Sequence, residues 1–187
     1  MPKIVDHDQR RTELLEPCLS LFASRGFHAL SVREIARNLN VTTGTLYHYF
    51  KSKSELFEKM LEQVIQLDIA DASVEVPLDA PWSAKLLNLS RYLSARESRF
   101  AQIVHVILDF KRYEEGDSTE VTERVLRAYR DAISTQLNIN NRAQVDAFFG
   151  LLMGVMLYRD LDTHAQPIKE QLGALFTLGL DLKYGEV

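Results

Sequence analysis

The sequence predicts an all-α fold: a three-helix helix-turn-helix unit at the N-terminus, followed by a larger helical domain. Three observations predict it. Apolar residues recur at i, i+3, i+4 and i+7 through most of the 187 residues. Two capping boxes, Ser31-Val32-Arg33-Glu34 and Ser52-Lys53-Ser54-Glu55, stand about twenty residues apart, with room for one short helix between them. No stretch alternates apolar and polar residues with β-branched enrichment, and no Asn-Gly hairpin dipeptide occurs.

The first helix carries the stripe Leu15, Cys18, Leu19 and Phe22 and ends at Gly26, a residue free to take the left-handed conformation of a helix terminus. Pro17 lies inside this stripe. It lacks an amide donor and clashes with the preceding turn, so a kink or a late start is expected there. The Ser31 hydroxyl can accept from the Glu34 amide and open a second helix to about Leu39, with Val32, Ile35, Ala36 and Leu39 inward. Asn40 suits the following corner because asparagine tolerates positive φ. Thr42 caps a short third helix over Thr43–Phe50. Ser52 to Glu55 opens a fourth, whose apolar stripe is Leu56, Phe57, Met60, Leu61 and Val64. Two prolines interrupt the periodicity between Ala70 and Pro81, and further helices follow near 82–96, 98–111, 118–137, 142–160 and 167–184. By function the chain divides into a helix-turn-helix domain at 1–54 and a helical regulatory and dimerisation domain at 55–187.

Composition bounds the chemistry. Cys18 is the only cysteine, which leaves no internal disulfide and no multi-cysteine metal site. The five histidines are scattered without a metal-like i, i+4 pair, so neither metal nor cofactor is expected. The opening residues lack the apolar core of a signal peptide. The longest apolar run, Ala147 to Tyr158, is far short of the roughly 18 residues of a membrane span. The expected setting is therefore the cytoplasm, with no membrane partner. Glycine-rich phosphate loops, a His-Glu-x-x-His pair and a nucleophile elbow are all missing, which argues against an enzyme. Net charge is −4, yet residues 1–60 hold nine Lys and Arg against seven Asp and Glu, leaving +2 there and −6 beyond. The cations gather where a polyanion could use them.

At 100° per residue, Leu46 and Phe50 fall on one side of the third helix and face the core. Gly44, Thr45, Tyr47 and His48 fall on the other, with Thr43 at the exposed start. That outer side is rich in small hydroxyls and has no acid. Thr43 and Thr45 can bond base edges or offer a methyl to thymine. Gly44 lets a backbone come close. Tyr47 and His48 can donate to phosphate oxygens, and Lys53 adds charge for the same use. Tyr49 suits packing and contact equally.

Residues Leu14–Glu62 resemble the DNA-binding domain of the TetR family. The matching motifs are Leu21-Phe22 ahead of Gly26, SVREIA at 31–36, the Val41-Thr42 turn, GTLYHYF at 44–50 and SKSEL at 52–56. The resemblance implies that Ser31 and Thr42 touch phosphates as well as capping helices. It also implies that Arg33, Thr43, Thr45 and His48 approach base edges, and that Tyr47 and Lys53 clamp the DNA backbone. Double-stranded DNA carrying a palindromic operator is then the expected partner, with release by a small-molecule effector. Pro17 departs from the family pattern, so the resemblance does not fix the course of the arm bearing Arg10 and Arg11. Asn40 stands where glycine is common.

Beyond Val64 only the residues speak. The run from Ala147 to Tyr158 is apolar all round and carries Gly150 and Gly154 four apart, a spacing that lets another helix approach closely. Gly173, Ala174 and Gly179 put small residues on the last helix too. A homodimer through these two helices is expected, using Phe149, Gly150, Met153, Gly154, Leu157, Gly173, Phe176 and Leu180. A ligand cavity among the central helices would draw its walls from Phe100, Val104, Phe110, Tyr113, Tyr129, Phe148 and Met153, with polar contacts from His105 and Asp109. Such walls suit a lipophilic effector.

Overall fold

The computed structural model describes residues 7–73, 79–113, 118–162 and 164–177, and these residues are helical with short connections. Helices α1 (His7–Leu15), α2 (Cys18–Arg25), α3 (Val32–Asn38), α4 (Thr43–Tyr49) and α5 (Lys53–Ser73) come first. Then follow α6 (Trp82–Ala95), α7 (Glu97–Tyr113), α8 (Ser118–Leu137), α9 (Arg142–Leu161) and α10 (Ile168–Thr177). The chain packs as two compact units. One joins residues up to Leu67 with His105–Val125, and the other joins Asp68–Val104 with residues from Leu126 onward.

Pro17 breaks the first helix outright. Helix α1 closes at Leu15, Pro17 occupies the N-cap of α2 without a side-chain bond, and the ladder resumes with the Leu21 amide on the Pro17 carbonyl at 3.2 Å. A missing amide is harmless at a helix start, so the proline ends one helix and begins the next. The stripe nevertheless stays in phase, since Leu14, Leu15, Cys18, Leu19 and Phe22 are all buried.

The first unit is built around an aromatic nucleus. Phe57 stacks on Phe110 of α7 with centroids 4.2 Å apart, and Phe27 meets Phe57 and Phe110 edge to face and Phe22 at a tilt. Offset and T-shaped rings of this kind add about 0.5–1.5 kcal/mol per pair beyond area burial. Phe110 is thus core and not the cavity wall expected of it. Its ring is 1% exposed because α7 delivers it to the face of Phe57. The neighbouring Asp109 accepts the Phe27 amide at 2.7 Å, which ties the corner at Gly26 (φ 81°) to α7. Cys18 lies in the same interior, and burial pushes its thiol up to about 12. Ellman's reagent at pH 8 should therefore leave the native protein unlabelled and react only on unfolding. Rapid native labelling would show that α2 opens.

The second unit has its own core, in which Leu86, Tyr92, Leu93, Ile139, Val145, Phe148, Leu152, Met156, Ile168 and Leu172 cluster. Phe148, also expected on a cavity wall, is 2% exposed and meets Trp82 edge to face. Helix α8 ends on Asn138 at φ 56°, with the Ile139 amide reaching back to the Ser134 carbonyl. A buried carboxylate, Asp68 at 3% exposure, accepts from the Tyr129 hydroxyl (2.8 Å) and the Arg99 guanidinium (2.7 Å). Burial pushes its carboxyl up from the ordinary value, against the opposing pull of Tyr129 and Arg99.

Helix α9 buries Val145, Phe148, Leu152, Val155 and Met156 on one side only. On the other, Ala147, Gly150, Gly154, Tyr158 and Leu161 are exposed, Leu161 at 83%. Phe149, Met153 and Leu157 are half-buried along the margin, and Phe149 stacks on Tyr129. A Cβ added at Gly150, Gly154 or Gly173 would meet nothing within 4 Å. Of the other residues expected at this interface, the Phe176 side chain and Leu180 lie outside the described residues, as does the Tyr113 side chain of the cavity set. Among the described residues no helix is long and apolar enough to cross a membrane.

Candidate nucleic-acid interface

Local chemistry fixes the helix-turn-helix before any packing does. Ser31 and Glu34 form the complete reciprocal box: the Ser31 oxygen accepts the Glu34 amide (3.3 Å) and the Glu34 carboxylate accepts the Ser31 amide (2.9 Å). The hydrogen bonds from Ser31 hold the Glu34 carboxyl below the usual carboxylate range. At the other end Asn40 takes φ 53°. The Asn40 amide bonds the Arg37 carbonyl and the Val41 amide bonds the Ala36 carbonyl. This is the Schellman termination, with asparagine where glycine is usual. Thr42 then accepts the Thr45 amide at 3.0 Å and starts α4.

The second expected box forms by half. Ser52 accepts the Glu55 amide (3.0 Å), but the Glu55 carboxylate reaches one residue further and takes the Lys51 amide (2.7 Å). Glu55 also lies 3.6 Å from Arg11, whose guanidinium sits 5.4 Å from the Phe50 ring centroid. Arg10 bonds Glu13 one turn along its own helix. Both arginines of the arm therefore have protein partners.

Helix α4 is anchored by Leu46 at 3% exposure and by Phe50, just past its end, at 2%. Gly44, Tyr47 and His48 are exposed, Tyr47 at 54%, while Thr43, Thr45 and Tyr49 are half-exposed. Thr42 and Arg33 are exposed beside it. The helix thus brings a continuous strip of hydroxyls, a bare backbone and two polar rings to the surface, and among these residues no carboxylate intrudes. The Thr42 and Thr45 hydroxyls lie 2.9 Å apart, which holds Thr45 in one orientation.

Lys53 is placed differently from the sequence expectation. Its ammonium donates to the carbonyls of Phe27 (2.8 Å) and Leu30 (3.1 Å) and stands 4.2 Å from the Phe27 ring centroid. The lysine ties the start of α5 to the loop before α3, because two inward-facing carbonyls there need donors. Lys53→Met should lower stability by roughly 2 kcal/mol, read as a fall in Tm. It should leave the salt dependence of DNA binding unchanged, whereas a phosphate contact would lower that slope by about one.

His7 escaped the sequence reading. Its ring lies 5.4 Å from His48 and 4.6 Å from Tyr49, so the start of α1 braces the outer end of α4. No local pattern could announce it, since the partners are some forty residues away in the chain. Of the residues suggested for a ligand cavity, Phe100 and Tyr129 meet edge to face at 6.4 Å. His105 is exposed, its position on α7 pointing away from the buried stripe of Ile103, Val104, Val106, Ile107 and Phe110.

Comparison with known proteins converges on this region. Residues 14–60 match the family described as bacterial regulatory proteins, tetR family. A segment of 98 residues is 39% identical to the transcriptional repressor KstR2 of Mycolicibacterium smegmatis, covering 51% of this chain and 47% of the repressor. The chain thus spans less than half the length of that relative. Over more of its length it is similar to a tetR-family regulator from Streptomyces coelicolor (25% identity, TM-score 0.69, 90% of this chain and 77% of that one). The fold is also that of the fatty acid degradation regulator FadR of Bacillus halodurans, at 16% identity and TM-score 0.73, covering 95% of this chain and 96% of that one.

Proposed function

We propose, from the premise that this chain is a member of the TetR family of bacterial regulatory proteins, that it is a homodimeric transcriptional repressor released from a palindromic operator by a small-molecule effector. The observation that carries the reading is α4. A short helix, capped at its start by Thr42 and anchored by Leu46 and Phe50, presents Thr43, Gly44, Thr45, Tyr47 and His48 outward. Thr43, Thr45, His48 and Arg33 read base edges. Ser31, Thr42, Tyr47 and Tyr49 hold the phosphate backbone, and Lys53 keeps the corner rigid.

The functional division places DNA reading in residues 1–54 and regulation with dimerisation in 55–187. For the dimer, the exposed face of α9 offers Gly150 and Gly154 with Phe149, Met153 and Leu157 along its margin, and α10 offers Gly173. An apolar helix face of this kind is costly to leave in water, and small residues let a symmetry mate pack closely against it. Two α4 helices related by the two-fold then enter successive major grooves, with half-sites about 34–36 Å apart or a multiple of that. An effector that favours another spacing releases DNA because it binds that state better.

Selection of binding sites from random duplex DNA by the full chain tests the reading. The recovered sequences should form an inverted repeat that shifts in a gel with the same protein. Recovery of no consensus, with affinity equal for all duplexes, would remove it.

A further inference from the structure

The second unit contains a cleft of about 580 Å³ that the DNA-reading function does not use. Its volume falls within the roughly 300–1,000 Å³ typical of small-molecule sites. Three arginines line it, Arg96, Arg99 and Arg159, together with Ser98, Ala101 and Met156. Two acids, Glu97 and Asp160, share its rim, and Arg159 already bonds Glu97 and the carbonyls of Ala165 and Gln166.

Arg96 and Arg99 differ from Arg159 in what they pair with. Their acidic partners, Asp71 and Asp68, both come from the end of α5 and do not line the cleft, and the Arg96 guanidinium also stands 4.2 Å from the Tyr92 ring centroid. The Arg96–Asp71 contact is a 3.1 Å pair whose aspartate side chain is 55% exposed, a weak and easily exchanged bond. Arg99 is the counter-charge of Asp68, whose side chain is only 4% exposed. Two arginines that line a cleft large enough for a ligand thus hold α5 carboxylates with their guanidinium groups, and Ala101 and Met156 line the cleft beside them.

We propose that this cleft binds a small organic acid, whose carboxylate is taken by Arg96 and Arg99 in competition with Asp71 and Asp68. Guanidinium forks match planar carboxylates, and the apolar wall takes the rest of the acid. An acid that draws Arg99 away leaves Asp68 buried without its charge partner, which a buried carboxylate resists. Occupancy therefore acts on the last turns of α5, the helix that begins at Lys53. This last step rests on the effector-release reading given above; the binding itself does not.

Titration calorimetry on the full chain tests the site, using phenylacetate, its uncharged near-isostere phenylacetamide, and inorganic phosphate. Phenylacetate should bind, and the amide should bind at least roughly tenfold more weakly. Arg96→Gln and Arg99→Gln should each lower phenylacetate affinity by a similar factor. Asp68→Asn should raise it severalfold, because the internal competitor is gone, a gain that adventitious surface binding would not show. Arg96→Gln keeps the test decisive if Arg99→Gln unfolds, since its partner is exposed. Equal binding of acid and amide, no binding at millimolar concentration, or phosphate alone binding would each overturn the proposal, as would an unimproved Asp68→Asn. Gel shifts run separately: phenylacetate binding without any operator would sink the repressor reading and leave the site standing. An operator complex indifferent to bound phenylacetate would limit the site to binding without release.

Discussion

Replacing Gly154 by arginine should yield a folded, monomeric chain that no longer shifts operator DNA. Within one protomer a Cβ at Gly154 meets nothing within 4 Å, so the substitution costs the single chain no packing. The same side chain would stand in the middle of the exposed α9 face, between Gly150 and Tyr158, where two helices can approach only if that position stays bare. Desolvating a guanidinium there without a partner adds to the steric cost. Losing the dimer turns two tethered half-site contacts into independent ones, which lowers apparent operator affinity by roughly 10²–10⁴. Light scattering reads the mass, circular dichroism the fold, and a gel shift the binding. Leu87→Arg serves as the control, since Leu87 is 39% exposed on α6 and should leave the dimer intact. A Gly154→Arg protein that still runs as a dimer would place the interface elsewhere.

The second large effect belongs to α4 itself. Thr43→Ala removes a hydroxyl and a methyl from the exposed start of the helix without touching Thr42, whose oxygen holds the Thr45 amide. The cap survives, and so should the domain. A base-edge contact is worth about 1–3 kcal/mol, and two-fold symmetry counts it twice, so operator affinity should fall roughly thirtyfold to more than ten-thousandfold. Tyr47→Ala, at a 54% exposed position, should weaken all duplexes alike, because a phosphate contact carries no base identity. The two variants are therefore told apart by competition with random DNA: Thr43→Ala narrows the gap between specific and non-specific binding, and Tyr47→Ala does not. Native-like binding by both would mean that another element reads the operator.

What was legible in the sequence follows the range of the interactions involved. Caps, the Asn40 corner and the Pro17 break are decided within five residues, so Ser31, Thr42, Asn40 and Pro17 announced themselves. Burial of Leu46 and Phe50 against exposure of Tyr47 and His48 follows from helical phase alone. Contacts between distant segments were not legible. Lys53 reads as a free surface cation until the carbonyls of Phe27 and Leu30 are seen beneath it. An apolar residue such as Phe110 or Phe148 suits a cavity wall and a packed core equally well by type, and only the ring against it decides. His105 misled for a related reason. Its apolar neighbours in sequence lie on a different side of α7, which leaves the imidazole exposed. Asp68 gave no signal, because a carboxylate is chosen for burial only when Arg99 and Tyr129, some thirty and sixty residues later, come to meet it.

The fastening of Phe27 by Asp109 bears on how this chain is made and how it can be cut. The acceptor of that amide is translated 82 residues after its donor, and the ring that stacks on Phe57 arrives with it. A nascent or excised fragment ending before α7 would carry the whole helix-turn-helix yet lack the clasp and one of the four rings of its aromatic nucleus. Grafting the first sixty or so residues onto another regulator would therefore succeed only where the host supplies an acid and an aromatic ring in the positions of Asp109 and Phe110.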